Sequence, residues 1–251
     1  PIFLDVISTE KISVGPPFYH KLITPFLMPF LLFMALGPKL KWIKSKIENK
    51  SLLIIFVIIS ATLTFFILKN INIDLLFYTI LISAAFFLFF TTSKELFFKK
   101  FNNIAQAVAH FGFSLFILSI LFNAILSSEI TTNIKVGERY NYNDVEILFE
   151  KIEEKKESNF NSIIGYFKIT NDKGKVVRLN PEIRTYNQPI TITSEADIKT
   201  TLLEDKFLVM NIVKGNEYFN IRYQVKPFML WIWISVLIIS LGGLMSLFKR
   251  K

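Results

Sequence analysis

Long apolar runs separated by short charged segments fill the first half of this chain, and the pattern changes character after residue 126. The runs fall at about 22–37, 52–68, 75–92 and 103–126, near the length of roughly 20 residues that a helix needs to cross a bilayer. The first is short and carries Pro25 and Pro29, which kink a helix yet are tolerated where neighbouring helices satisfy the freed carbonyls. A fifth run, 228–248, precedes a terminal Lys249-Arg250-Lys251. Between 127 and 226 the long runs give way to short stretches rich in β-branched and aromatic residues, at 145–152, 160–170 and 176–179. A hairpin is expected from 206–213 and 218–225 about the turn Lys214-Gly215-Asn216, and Asn171-Asp172-Lys173-Gly174 is a second turn. The pattern predicts a polytopic α-helical membrane protein with an inserted extramembrane all-β domain before the last transmembrane helix. Its parts are a lead-in at 1–20, four transmembrane helices within 21–126, a small sandwich or barrel-like β domain at 127–226, and a final helix with a basic tail at 227–251. The lead-in ends in Val14-Gly15-Pro16-Pro17, read as a rigid turn because consecutive prolines fix φ and remove donors.

Composition supports this reading and charge orients it. Hydrophobic residues make up 52% of the chain, charged ones 20%, and 27 residues are Phe, the profile of a membrane protein. The net charge of +9 would suggest nucleic acid on a soluble surface, but residues 127–226 hold fifteen basic and fifteen acidic side chains, so the whole excess belongs to the apolar part. Lys39, Lys41, Lys44, Lys46 and Lys50 lie in one loop, and Lys94, Lys99 and Lys100 in another. With basic loops inside, one topology follows: loops 38–51 and 93–102 and the tail inside; the lead-in, turn 69–74 and β domain outside. Nucleic-acid binding is set aside. The chain has no Cys, which excludes disulfides, thiolate metal sites and a cysteine nucleophile of its own. It opens on Pro1 without an initiator Met or a signal pattern, and is expected to be part of a longer protein.

Candidate chemistry is sparse. His110 lies within the run 103–126, and ionisable groups at membrane depth are rare and usually functional. One turn away on its face are Gln106, Ala107, Phe113 and Ser114. Ala105, Ala107, Ala109 and Gly112 make this half of the helix thin, which suits either the approach of a flat macrocycle or close helix packing. The other histidine, His20, sits at the outer end of the first run, where an interfacial role is expected. No Ser-His-Asp spacing, zinc motif, phosphate loop or pair of intramembrane carboxylates is found. Glu150, Glu153, Glu154 and Glu157 alternate with Lys151, Lys155 and Lys156, a solvated mixed-charge face. Arg184, in Asn180-Pro181-Glu182-Ile183-Arg184-Thr185-Tyr186, could pair with a carboxylate such as a haem propionate or serve a structural salt bridge. Trp231 and Trp233 fit an interfacial aromatic belt.

Four motifs in order carry a resemblance: Ile12-Ser13-Val14-Gly15-Pro16-Pro17-Phe18-Tyr19; Ala109-His110-Phe111-Gly112; Pro181-Glu182-Ile183-Arg184-Thr185-Tyr186 with Thr191-Ile192-Thr193-Ser194-Glu195-Ala196-Asp197-Ile198; and Lys226-Pro227, Trp231-Ile232-Trp233 and Gly242-Gly243. With the expected topology, the chain resembles the C-terminal part of the cytochrome c maturation F subunit family, CcmF. The resemblance implies part of a cytochrome c haem lyase (holocytochrome c synthase) in a bacterial inner membrane or, alternatively, a mitochondrial inner membrane. In that family haem, as substrate, arrives from a haem chaperone and is joined through its vinyl groups to the Cys-x-x-Cys-His thiols of apocytochrome c. A resident b-type haem (haem b) is held within the bilayer by two histidines, and His110 matches one of those axial ligands to the iron. Haem chaperone, apocytochrome c and other maturation subunits are the implied partners, beside the lipid bilayer. The family's tryptophan-rich loop, the second ligand and two outer histidines would lie upstream of Pro1, so no catalytic residue is expected within this chain. The family usually has Asn where His20 stands. A non-catalytic membrane-anchored scaffold for envelope complex assembly is the rival reading.

Overall fold

A computed structural model describes residues 16–39, 50–69, 75–98, 104–172, 174–213, 215 and 217–248. The residues form two compact units: one comprising Pro1–Leu118 with Ser235–Lys251, the other Ser119–Ile234. Most of the lead-in, the basic loop after the first helix, the turn 70–74, the far part of the loop 93–102 and the basic tail lie outside the described residues.

The helical unit is built from α1 (Pro16–Leu36), α2 (Lys50–Leu68), α3 (Leu75–Phe98), most of α4 (Ile104–Leu126) and most of α5 (Met229–Phe248). Within the described residues, four helices are long and apolar enough to cross a membrane: Lys50–Leu68, Tyr78–Phe97, Ile104–Leu126 and Met229–Phe248; Pro25–Leu36 is a shorter apolar helix. From Pro16 on, the expected Gly-Pro-Pro turn is instead the first turn of α1. The physical reason is that the first helical residues have no intrahelical use for an N–H, so proline is favoured there. Helices this apolar gain little from hydrophobic association within lipid, and they are joined by hydroxyls and close fit. Ser83 Oγ of α3 donates to Thr64 Oγ1 of α2 at 3.1 Å, while Thr64 donates to the Ser60 carbonyl at 2.8 Å.

The second unit is an all-β sandwich. One antiparallel sheet has the order β1-β10-β9-β8, formed by β1 (Ser128–Ile134), β8 (Asp197–Thr200), β9 (Glu204–Ile212) and β10 (Phe219–Pro227). The other runs β2-β3-β4-β6-β7, from β2 (Arg139–Tyr142), β3 (Val145–Lys156), β4 (Phe160–Asn171), β6 (Glu182–Asn187) and β7 (Ile190–Glu195), with β5 (Val176–Leu179) pairing β4. Alternation of inward residues builds the core: Ile147 and Phe149 of β3, Phe167 and Ile169 of β4, Leu208 and Met210 of β9, Ile221 and Tyr223 of β10. Gly165 lies tight in this packing: a Cβ there would stand 2.7 Å from both Met210 Sδ and Phe167 Cε2, so those side chains would have to shift. The expected strands at 145–152, 160–170 and 176–179 and the hairpin about Gly215 are β3, β4, β5 and β9–β10. β1, β2, β6, β7 and β8 add to them.

One polar group in the sandwich is out of keeping with its surroundings. Asp205 is buried, and its Oδ1 has no hydrogen-bond partner among the described residues. Burial pushes its carboxyl above the usual carboxylate range, with the Thr200 hydroxyl acting weakly the other way. A folded-state value raised above the unfolded one gives stability that is fully present below the unfolded value and lost as pH rises through the folded one. Asp205→Asn is therefore expected to raise the unfolding midpoint of the sandwich at neutral pH, by on the order of 1 kcal/mol. That gain should shrink as pH falls toward about 4, and thermal melts of both forms across this range check it. Burial foremost and the charge of Glu204 push the Tyr223 phenol up to about 12, so it stays neutral throughout this range.

Candidate intramembrane histidine site

α4 carries three differently used faces, and His110 lies between two of them. The first face is small: Ala105, Ala109 and Gly112 meet α5, where a Cβ on Gly242 would come within 2.6 Å of the Ala109 nitrogen and one on Gly112 within 2.9 Å of the Ile239 nitrogen. The thin wall read from the sequence is thus taken up here by helix packing. The second face meets α3. Ser114 is fully buried and lies 3.3 Å from Thr92 Oγ1, while Phe111 packs against Phe89 and Phe97 with ring centroids 5.6 and 6.0 Å away. Each hydroxyl also donates to its own helix, Ser114 to the Phe111 carbonyl at 2.7 Å and Thr92 to that of Leu88 at 2.8 Å. The third face holds Phe113, whose ring meets that of Phe30 of α1 edge to face at 5.8 Å. Sequence reasoning named Ser114 but missed its partner Thr92. The signal was Thr91-Thr92-Ser93 at the end of an otherwise apolar run.

His110 itself is half-buried. Its imidazole makes no hydrogen bond to another described residue, and Glu95 of α3 is near enough for its charge to act on the ring. Among the described residues no three His, Cys, Asp or Glu side chains gather to hold a metal ion. His110 therefore offers one imidazole nitrogen by itself, and the described residues do not make a self-contained metal centre. A cavity of about 660 Å³ opens between α1, α2 and α3, lined by Leu36, Val57, Ile58, Ser83 and Phe87 among others. His110 is absent from its walls, so it offers no axial ligand. His20 falls on the first turns of α1.

Arg184 belongs to the sandwich unit. Its Nε donates to Glu182 Oε2 at 2.9 Å within β6, and its guanidinium lies over the Phe160 ring at 4.9 Å. The pair with Glu182 engages one edge of the guanidinium within the sandwich. The mixed-charge run is likewise paired at the surface: Lys151 with Glu153, Lys155 with Glu157 at 2.7 Å, and the Tyr166 hydroxyl donating to Glu153 at 2.8 Å. The hydrogen bond from Lys151 holds the Glu153 carboxyl below its ordinary value. Such exposed pairs add little stability. Trp233 is exposed on α5, and Trp231 donates its indole N–H to the Leu202 carbonyl at 2.8 Å.

Known proteins resemble this chain in sequence and fold. Residues 125–227 match the family model described as the CcmF C-terminal beta-sandwich. Over its full length the chain is 23% identical to the cytochrome c-type biogenesis protein CcmF of Pseudomonas fluorescens, 24% to that of Escherichia coli K12 and 25% to that of Haemophilus influenzae. It spans 40%, 40% and 41% of those proteins, respectively. A solved structure titled Cytochrome c Heme Lyase CcmF superposes with a TM-score of 0.71 over 92% of this chain and 40% of that one; at 18% identity the likeness is one of fold. With the sandwich it carries and similarity running from end to end, the chain is similar over its whole length to CcmF cytochrome c biogenesis proteins, and its residues 125–227 carry the CcmF C-terminal beta-sandwich.

Proposed function

We propose that this chain is the C-terminal portion of a cytochrome c haem lyase of a bacterial inner membrane, with its sandwich on the outer side, and that His110 gives one axial nitrogen to a resident b-type haem. The observation that carries the reading is a half-buried imidazole, without a hydrogen bond to another described residue, inside an apolar helix of a CcmF-like chain. Such a group is costly at membrane depth unless it is used. The two glycine contacts with α5 and the Ser114–Thr92 pair fix α4 around His110, so the ring is presented from a rigid element. A haem held there would supply one-electron redox chemistry. His110 binds as neutral imidazole, its second nitrogen left to a hydrogen-bond acceptor that sets the tautomer. The thiols that add across the vinyl groups of the substrate haem come from apocytochrome c, since this chain has no Cys. Outside the membrane, the sandwich offers its surface to the haem chaperone, apocytochrome c or other maturation subunits.

A scaffold without haem is favoured by one observation, that the small residues of α4 are consumed by packing. One experiment separates the two. The intact protein purified in mild detergent should show the reduced spectrum of a b-type haem, and His110→Ala should abolish it while circular dichroism stays unchanged. A spectrum that survives the substitution overturns the ligand assignment, and a wild-type protein with no haem favours the scaffold.

A further inference from the structure

The turn between β8 and β9 exposes two adjacent leucines: Leu202 is 69% and Leu203 65% accessible. Both carbonyls of this pair are nevertheless engaged. Trp231 donates its indole N–H to Leu202 O at 2.8 Å, and the Phe228 amide donates to Leu203 O at 2.7 Å. Thr201 closes the turn from the other side, its amide and hydroxyl both donating to Glu204 O at 3.0 and 2.8 Å. The clamp is built where β10 becomes α5. Phe228 holds φ at +59°, a left-handed conformation that a bulky residue adopts only when its surroundings require it. Its ring meets Phe122 with centroids 5.3 Å apart, and Asn123 Nδ2 donates to Pro227 O at 2.7 Å. The leucine turn is thus tied to the first turn of a helix of 20 residues, about 30 Å long and so matched to the hydrocarbon core. The start of such a helix sits at the lipid–water boundary, where Trp is favoured.

We propose that the β8–β9 turn is a membrane-interface anchor, in which Leu202 and Leu203 insert among lipid acyl chains at the depth of Trp231. Lipid is the occupant the observations favour, because the leucine pair is clamped to the first turn of an apolar helix long enough to cross a bilayer, beside Trp231, and its two carbonyls are already hydrogen-bonded, as hydrocarbon requires. The anchor is independent of haem: it uses only the sandwich unit and the head of α5.

The chain's lack of cysteine makes the test direct. Cysteine is introduced at Leu202, labelled with an environment-sensitive nitrobenzoxadiazole dye, and the full chain is reconstituted in phosphatidylethanolamine–phosphatidylglycerol vesicles. The matched control is Ile212→Cys, 50% exposed at the far end of β9, about 27 Å along the strand from Glu204, where the turn ends. The label at 202 should emit to the blue of the label at 212 and be quenched by acyl-brominated lipid, while that at 212 is not. Adding Trp231→Phe should weaken the quenching at 202. A 202 label that emits as in water and escapes bromine overturns the anchor, as does one shielded only when a partner protein is added.

Discussion

Leucine at position 242 should separate the last helix from α4, whereas leucine at position 243 should be tolerated. A side chain on Gly242 would meet the Ala109 nitrogen at 2.6 Å, the Ala109 Cβ at 2.8 Å and the Ala105 carbonyl at 2.9 Å. Two of the three are backbone atoms of a hydrogen-bonded helix and cannot swing aside, so the helices must part or rotate. Gly243 has nothing within 4 Å of its virtual Cβ. Overpacking of this kind costs about 1–3 kcal/mol where side chains can yield. With backbone in the way, Gly242→Leu is expected to cost at least about 3 kcal/mol, against under about 0.5 kcal/mol for Gly243→Leu. Thermal unfolding of the detergent-solubilised protein checks the pair, and equal losses would show that the contact is not what holds α5. The same displacement moves the backbone next to His110, so haem retention should follow stability in Gly242→Leu.

Why the neighbouring glycines differ was not readable in the sequence, where Gly242-Gly243 was only part of a motif. What was readable followed from long periodic or apolar stretches: the length of the run 103–126, the unusual His110 within it, and β3, β4 and the β9–β10 hairpin, whose hydrophobic residues are dense. The strands that escaped notice are those whose inward residues are few. β6 alternates Glu182, Arg184 and Tyr186 with a single buried Ile183, so it looked like a polar motif rather than a strand. β7 exposes Ile190 and Ile192 on an edge, which inverts the expected burial. The turn expected at Pro16 and Pro17 rests on local stiffness, which argues equally for a helix start, and only the residues downstream decide between them. The same ambiguity governed Ala105, Ala109 and Gly112. Small residues permit approach, but which body approaches is a matter of tertiary structure; here it is α5. Arg184 illustrates a different limit, since its carboxylate partner is two residues away in the same strand, on the same face, and could have been paired from the period of two alone.

Phe149→Ala should be the most damaging single change in the sandwich. The ring is fully buried, stacked on Phe167 with centroids 4.2 Å apart and planes within 14°, and it meets Phe219 edge-on at 5.5 Å. It therefore joins β3 and β4 of one sheet to β10 of the other. Its backbone also anchors the chain entering β2, giving its N–H to the Glu138 carbonyl at 3.1 Å and accepting the Gly137 N–H at 2.7 Å. The register of β3 against β4 shifts between Phe149 and Lys151, so the side chain pins a strand at the point where pairing is weakest. Truncating a buried Phe to Ala costs about 3–5 kcal/mol, a large share of the roughly 5–15 kcal/mol that a domain has in total. Hydrogen exchange on the full chain should show β3, β4 and β10 amides losing protection together, while α2 and α3 amides keep theirs. Phe149→Leu, which retains most of the volume, should lose less than about 1.5 kcal/mol. If instead alanine loosened only β3, the two sheets would be held together by Met210 and Leu208 rather than by the aromatic cluster, and the load would sit on β9.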